Sequence, residues 1–120
     1  MSTSQRAISE LPEREQPISE QFRIVAKQWV DADAAASLME ELKTTTLEKM
    51  KQRIIEDEGP MAENKAERQA KCDPEWEAYL RGMCAHRATA NRLKVQMKYL
   101  EIKHREWIGL DATARAEMKL

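Results

Sequence analysis

Apolar residues recur at steps of three and four in two long segments of the chain. In the first segment they are Phe22, Val25, Trp29, Ala32, Ala36 and Met39, preceded by Ser19 as a candidate N-cap. Such spacing places them on one face of an α-helix. The stripe continues in a shifted register at Leu42, Leu47, Met50 and Ile54. The pattern therefore predicts a helix over residues 19–57, with a bend or short break at Thr44–Thr46 or at Asp31–Asp33.

The second segment carries an almost unbroken heptad stripe. Its members are Trp76, Tyr79, Met83, His86, Ala90, Leu93, Met97, Leu100, His104 and Trp107. Asp73 is a suitable N-cap and Pro74 is favourable at the first helical position, so we predict a helix over residues 74–107. A helix of that length measures about 50 Å and depends on packing along its length.

Shorter elements connect and follow these helices. Gly59-Pro60 ends the first helix, and a short polar helix is predicted over residues 64–71. Gly109 is the expected hinge before a short terminal helix over residues 111–119. Residues 1–17 are polar and contain two prolines, which is typical of a flexible N-terminal arm.

Alternating β-branched runs and hairpin turns are absent from the sequence, so the predicted fold class is all-α. The two long helices and their short connection favour a long antiparallel helical hairpin, coiled-coil-like, within a single domain over residues 18–120. Apolar residues are plentiful, but large side chains are few. A single hairpin would therefore have a thin core.

The long helix carries a second apolar line, formed by Ala85, Ala88, Val95, Tyr99 and Ile102. A helix that is apolar on two faces is usually covered on both. We expect self-association, most simply as a homodimer, through a seam of Trp76, Tyr79, Met83, Leu93, Met97, Leu100 and Trp107. We expect an unidentified protein partner to dock on Val95, Tyr99 and Ile102.

Charge is unevenly distributed although the net charge is only −1. Residues 81–105 hold seven bases and one acid, whereas residues 10–58 hold twelve acids and seven bases. A line of mostly basic residues on the long helix, here called the basic line, consists of Arg87, Asn91, Lys94, Lys98 and Arg105. This line gives an alternative hypothesis of nucleic-acid contact. Two other interpretations compete with it: the line is the solvated flank of a coiled coil, or it forms ion pairs to Glu40, Glu41 and Glu48 of the first helix.

Chemical motifs are lacking. No phosphate-binding loop, nucleophile elbow or catalytic carboxylate pair is present, so we expect no enzyme activity and no cofactor. His86 and His104 lie about 27 Å apart on one helix and cannot share a metal ion, and we expect them in the seam. Two cysteines, no leader pattern and no membrane-length apolar run predict a cytoplasmic protein without membrane contact.

Several stretches of the chain together resemble a class of known proteins. They are Lys65-Ala-Glu-Arg, Asp73-Pro-Glu-Trp-Glu-Ala-Tyr, Ala90-Asn-Arg-Leu-Lys-Val-Gln-Met-Lys-Tyr-Leu, Glu106-Trp and Ala112-Thr-Ala-Arg-Ala-Glu-Met-Lys-Leu. Over about residues 20–120 the chain is similar to small all-helical accessory proteins of bacteriophages and prophages, some of which accompany recombination genes. The resemblance implies a phage-type context for DNA recombination or replication, or for inhibition of a host factor, and no catalytic residue.

Overall fold

A computed structural model describes residues 17–118 of the chain. It consists of four helices, α1 (Ile18–Glu41), α2 (Lys43–Glu58), α3 (Glu63–Cys72) and α4 (Pro74–Met118). No strand occurs within residues 17–118, and α1 runs antiparallel to α4. The predicted all-α helical hairpin is confirmed. The predicted arm over residues 1–17 lies outside the described residues except for Pro17.

The boundaries of the first predicted helix differ from expectation. Helix α1 begins one residue early, because the Pro17 carbonyl accepts the N–H groups of Glu20 and Gln21, each at 3.0 Å. Ser19 therefore lies inside the helix and is not its cap. The expected break falls at Leu42, where ψ opens to 0°, just before the threonine run that disfavours helix. As a result, the predicted helix 19–57 is divided into α1 and α2.

Helix ends predicted from Gly and Asp are confirmed. Gly59 has a φ of 92° and donates its N–H to the Ile55 carbonyl at 2.9 Å, which ends α2 with a conformation that favours glycine. Asp73 Oδ1 accepts the Glu75 N–H at 2.8 Å, so Asp73 caps α4 and Pro74 is its first residue.

Helix α4 continues through Gly109, and the predicted separate helix over residues 111–119 is wrong. A single glycine costs a helix only about 1 kcal/mol relative to alanine, which is too little to end it without a proline. Ion pairs one turn apart brace the helix on both sides of Gly109, from Arg105 to Glu101 at 2.8 Å and from Arg115 to Asp111 at 2.6 Å.

Two compact units make up the chain. Asp31–Ala90 forms one, here called the four-helix unit because it draws on all four helices. The other, the two-helix unit, consists of Met1–Val30 and Asn91–Leu120. Of the two-helix unit, the structure describes residues 17–30 of α1 and residues 91–118 of α4.

The core of the four-helix unit lies where α2, α3 and the start of α4 meet. Met50, Ala70 and Trp76 are buried, and Leu47, Ile54, Tyr79 and Leu80 pack against them. The rings of Trp76 and Tyr79 stack with centroids 5.8 Å apart, and the Tyr79 hydroxyl donates a hydrogen bond to the Met39 carbonyl of α1. Lys51 is buried and pairs with Glu48 at 3.1 Å and Glu63 at 3.0 Å, which joins α2 to α3.

The two-helix unit has a thinner core. Val25 of α1 and Leu100 of α4 are buried. Ile18 and Phe22 line a shallow groove together with Leu100 and His104, so the start of α1 lies beside this part of α4. Two helices can cover each other on only one face, and the remaining faces of α4 are left open.

Candidate interaction surfaces

Most of the predicted self-association seam packs within its own chain. In the four-helix unit Trp76 is buried and Tyr79 and Met83 are half-buried. In the two-helix unit Leu100 is buried and Leu93 and Met97 are half-buried. Trp107, by contrast, has 57% of its surface exposed. Within the predicted seam, Trp107 therefore offers the surface most accessible to another molecule.

The predicted partner face is open. Val95, Tyr99 and Ile102 are exposed to 70%, 60% and 45%. Their spacing of four and three residues aligns them on one side of α4, whereas Leu93, Met97 and Leu100 turn inward. We call the three exposed residues the apolar row. Three large apolar side chains exposed to water on one side of a helix are a feature of many interaction sites.

Arg87, the first member of the predicted basic line, is engaged within the four-helix unit. Its guanidinium reaches α1, where it pairs with Glu40 at 2.6 Å and 3.0 Å and with Asp33 at 2.8 Å, and it donates to Ser37 Oγ at 3.3 Å. The three α1 acceptors are spaced by four and three residues, which puts them on one helix face. Of the three acids weighed as partners for this line in the sequence, Glu40 therefore pairs with Arg87, whereas Glu48 pairs with Lys51.

These contacts also shift the two ionisation equilibria. The hydrogen bond from Arg87 lowers the pKa of Glu40 below its usual 4.5. The same hydrogen bond, with a second one to Asp33, raises the pKa of Arg87. Both groups therefore remain charged at neutral pH, and Arg87 serves to hold α4 to α1 in this unit.

The remaining members of the line belong to the two-helix unit. Asn91, Lys94 and Lys98 are exposed, and neither lysine forms an ion pair within the described part of the chain. Arg105 pairs with Glu101 at 2.8 Å. A short strip with two unneutralised lysines thus flanks the apolar row.

The histidines and cysteines form no joint site. His86, Cys72 and Cys84 are exposed in the four-helix unit, and no group of three His, Cys, Asp or Glu side chains converges among residues 17–118. His104 stacks on Trp107 with ring centroids 6.2 Å apart, beside Pro17 and Ile18. The heptad pattern predicted that the His104 and Trp107 rings both lie in the seam, but it did not predict that these two rings stack on each other.

Comparisons with known proteins add no assignment. The chain matches no protein-family model, and no curated protein or solved structure is significantly similar to it. Within residues 17–118, no helix has both the length and the apolar character that a membrane span requires. The interaction surfaces must therefore be interpreted from their own chemistry.

Proposed function

We propose that this chain is a non-enzymatic helical interaction protein that self-associates and docks a protein partner. The observation that carries the proposal is the apolar row, in which Val95, Tyr99 and Ile102 remain exposed on the side of α4 away from its packed residues. Fully burying a large apolar side chain is worth about 1.5–3 kcal/mol. Three such side chains on a rigid helix are a suitable anchor for a partner.

The biological context that we propose is that of a phage-type accessory factor. It would act in DNA recombination or replication, or inhibit a host factor, and it would do so by protein contact. Support comes from the resemblance of the stretches beginning at Lys65, Asp73 and Ala90 to small helical phage proteins. The absence of a recognisable catalytic motif in the sequence agrees with a role that requires binding alone.

The test uses a double variant, Tyr99→Ser with Ile102→Ser, and the matched control Val30→Ser. Val30 is 56% exposed in the same unit but lies on α1. Tagged chains are expressed in the native host and their bound proteins are compared quantitatively. We expect the double variant to lose a partner that wild type and Val30→Ser retain. An identical set of bound proteins and an unchanged oligomeric state would refute the proposal.

A second candidate function, nucleic-acid binding, is favoured by Lys94 and Lys98, which are exposed and form no ion pair with any residue from 17 to 118. Contact with phosphates would make the affinity fall steeply as the salt concentration rises, because protein binding releases cations condensed on the nucleic acid. Fluorescence anisotropy with labelled single-stranded and duplex DNA at low and physiological ionic strength tests it. Loss of binding in Lys94→Glu with Lys98→Glu, but not in the exposed control Lys65→Glu, would support it. No binding of wild type at low ionic strength would remove it.

A further inference from the structure

We infer that the occupant of the apolar row is a second copy of this chain, with the two α4 helices antiparallel. The inference rests on the proposed function and names the partner of its central surface. The apolar row is the first half of a longer heptad row on α4, in which steps of four and three alternate. The full row is Val95, Tyr99, Ile102, Glu106, Gly109, Thr113 and Ala116, and every member is exposed.

Side-chain size changes along this row in a self-complementary way. The first half carries the large residues Val95, Tyr99 and Ile102, and beyond Glu106 the second half carries the small residues Gly109, Thr113 and Ala116. At Gly109 an added Cβ would meet nothing within 4 Å, so the surface there is open. An antiparallel pair sets Tyr99 and Ile102 of each helix on small residues of the other, as close packing requires. A parallel pair would oppose large to large.

A specific register follows from the heptad positions. Antiparallel helices pack in layers that pair the two kinds of core position. One such register sets Tyr99 opposite the second copy's Ala116 and Ile102 opposite the second copy's Thr113. Glu106 and Gly109 then face each other across the two-fold axis. The contact extends over about 27 Å of helix.

Charge favours the same orientation. Residues 91–105 hold five bases and one acid, whereas residues 106–118 hold three acids and one base. Antiparallel pairing brings the positive half of one helix against the negative half of the other, and parallel pairing would oppose like charges. Because both the size gradient and the charge gradient are complementary to themselves, they fit an isologous dimer better than an unrelated protein.

The end of α4 also needs cover. Residues 101–118 are exposed throughout except for half-buried Asp111. A helix of this length is marginal in water without packing. A single helix-on-helix contact is small compared with standard interfaces of about 1,600 Å². The expected dimer is therefore reversible and depends on protein concentration.

Cysteine cross-linking tests the orientation. In a background of Cys72→Ser and Cys84→Ser, which removes two exposed thiols, Glu106→Cys and Gly109→Cys chains are mixed and oxidised. We expect the mixed disulfide to form at least about tenfold faster than a disulfide in either variant alone, since like positions lie too far apart in this register. Disulfides forming chiefly between like positions would show a parallel pair. That outcome, or no cross-link at high micromolar concentration, would overturn the inference.

Sedimentation equilibrium with Gly109→Leu tests the packing. The leucine side chain has free space in the single chain and raises the helix propensity. In the proposed dimer, however, it would occupy the space next to Gly109 that the second copy's helix fills. We expect association at least about tenfold weaker with helix content unchanged or higher. The control Ala112→Leu introduces the same side chain at an exposed site off the row and should associate like wild type.

The outcomes separate this inference from the proposed function. Unchanged or tighter association of Gly109→Leu overturns the second-copy inference. A wild-type chain that stays monomeric, yet loses a protein partner when Tyr99 and Ile102 are replaced, also overturns it. That result would remove self-association from the proposed function and leave the docking of a protein partner standing.

Discussion

Replacement of the two tryptophans on the α4 stripe should have very different effects on stability. Trp76 and Trp107 lie at the two ends of the same heptad stripe, but Trp76 is 6% exposed and Trp107 57% exposed. Trp76→Ala would remove a ring that packs with Met50 and Ala70 and stacks on Tyr79. Truncations of this kind cost about 3–5 kcal/mol.

That loss is large against the total stability of a small protein, about 5–15 kcal/mol. It corresponds to a fall in melting temperature of more than about 10 °C for a chain of this size. Trp107→Ala removes a ring that water already reaches, so we expect a change within about 1 kcal/mol. Any effect of Trp107→Ala on self-association would appear as a dependence on protein concentration.

Guanidinium unfolding followed by far-UV circular dichroism measures both values. Each variant is unfolded at low and at high micromolar concentration, so that association is separated from folding. Equal losses for the two variants, or a loss below about 1.5 kcal/mol for Trp76→Ala, would refute the packing described for the four-helix unit.

Three further predictions concern single contacts. Tyr79→Phe removes a hydrogen bond to an α1 carbonyl and should lower the unfolding free energy by about 0.5–1.5 kcal/mol. The control Tyr99→Phe changes an exposed side chain and should leave the unfolding free energy of monomeric samples unchanged. Equal effects of the two substitutions would contradict this prediction. Arg87 lowers the pKa of Glu40 in the folded state relative to the unfolded state. The ionised carboxylate therefore stabilises the fold at any pH above the unfolded-state pKa. This stabilisation is lost as the pH falls through the folded-state pKa. The melting temperature of Glu40→Gln should therefore fall less than that of wild type between neutral pH and about pH 3, and identical slopes would exclude the effect. Gly59→Ala should destabilise by about 1 kcal/mol or more in thermal melts because its φ is 92°, and a neutral result would show that the turn relaxes.

The hydrophobic pattern predicted the helices well because a helix needs an apolar face to pack. The inward positions of α4 from Trp76 to Leu100 follow the predicted stripe, except His86, which is exposed. Gly59 and Asp73 acted as predicted because their effects are local. Such signals depend on the backbone of a few residues and hold whatever the tertiary structure.

Features that depend on the extent of the partner helix could not be predicted. Periodicity shows which face of α4 is apolar but not how far that face is covered. Ile18, the first residue of α1, lines one groove with His104 and Trp107, so Trp107 lies where α1 begins and more than half of its surface stays exposed. Likewise, the basic line could not show that Arg87 is paired, because its acceptors lie 47 to 54 residues earlier in the chain.

Four alanines in the four-helix unit restrict the size of the side chain that each site can hold more strongly than the larger core residues do. Ala36, Ala66, Ala70 and Ala90 have no accessible surface at all. Any bulkier group there must push neighbouring atoms apart, whereas losing a methyl group leaves little void. These sites should accept glycine more readily than leucine in a library of random variants. Their tolerance profile would reveal folding defects separately from defects in the recognition that we propose for the outer surface of α4.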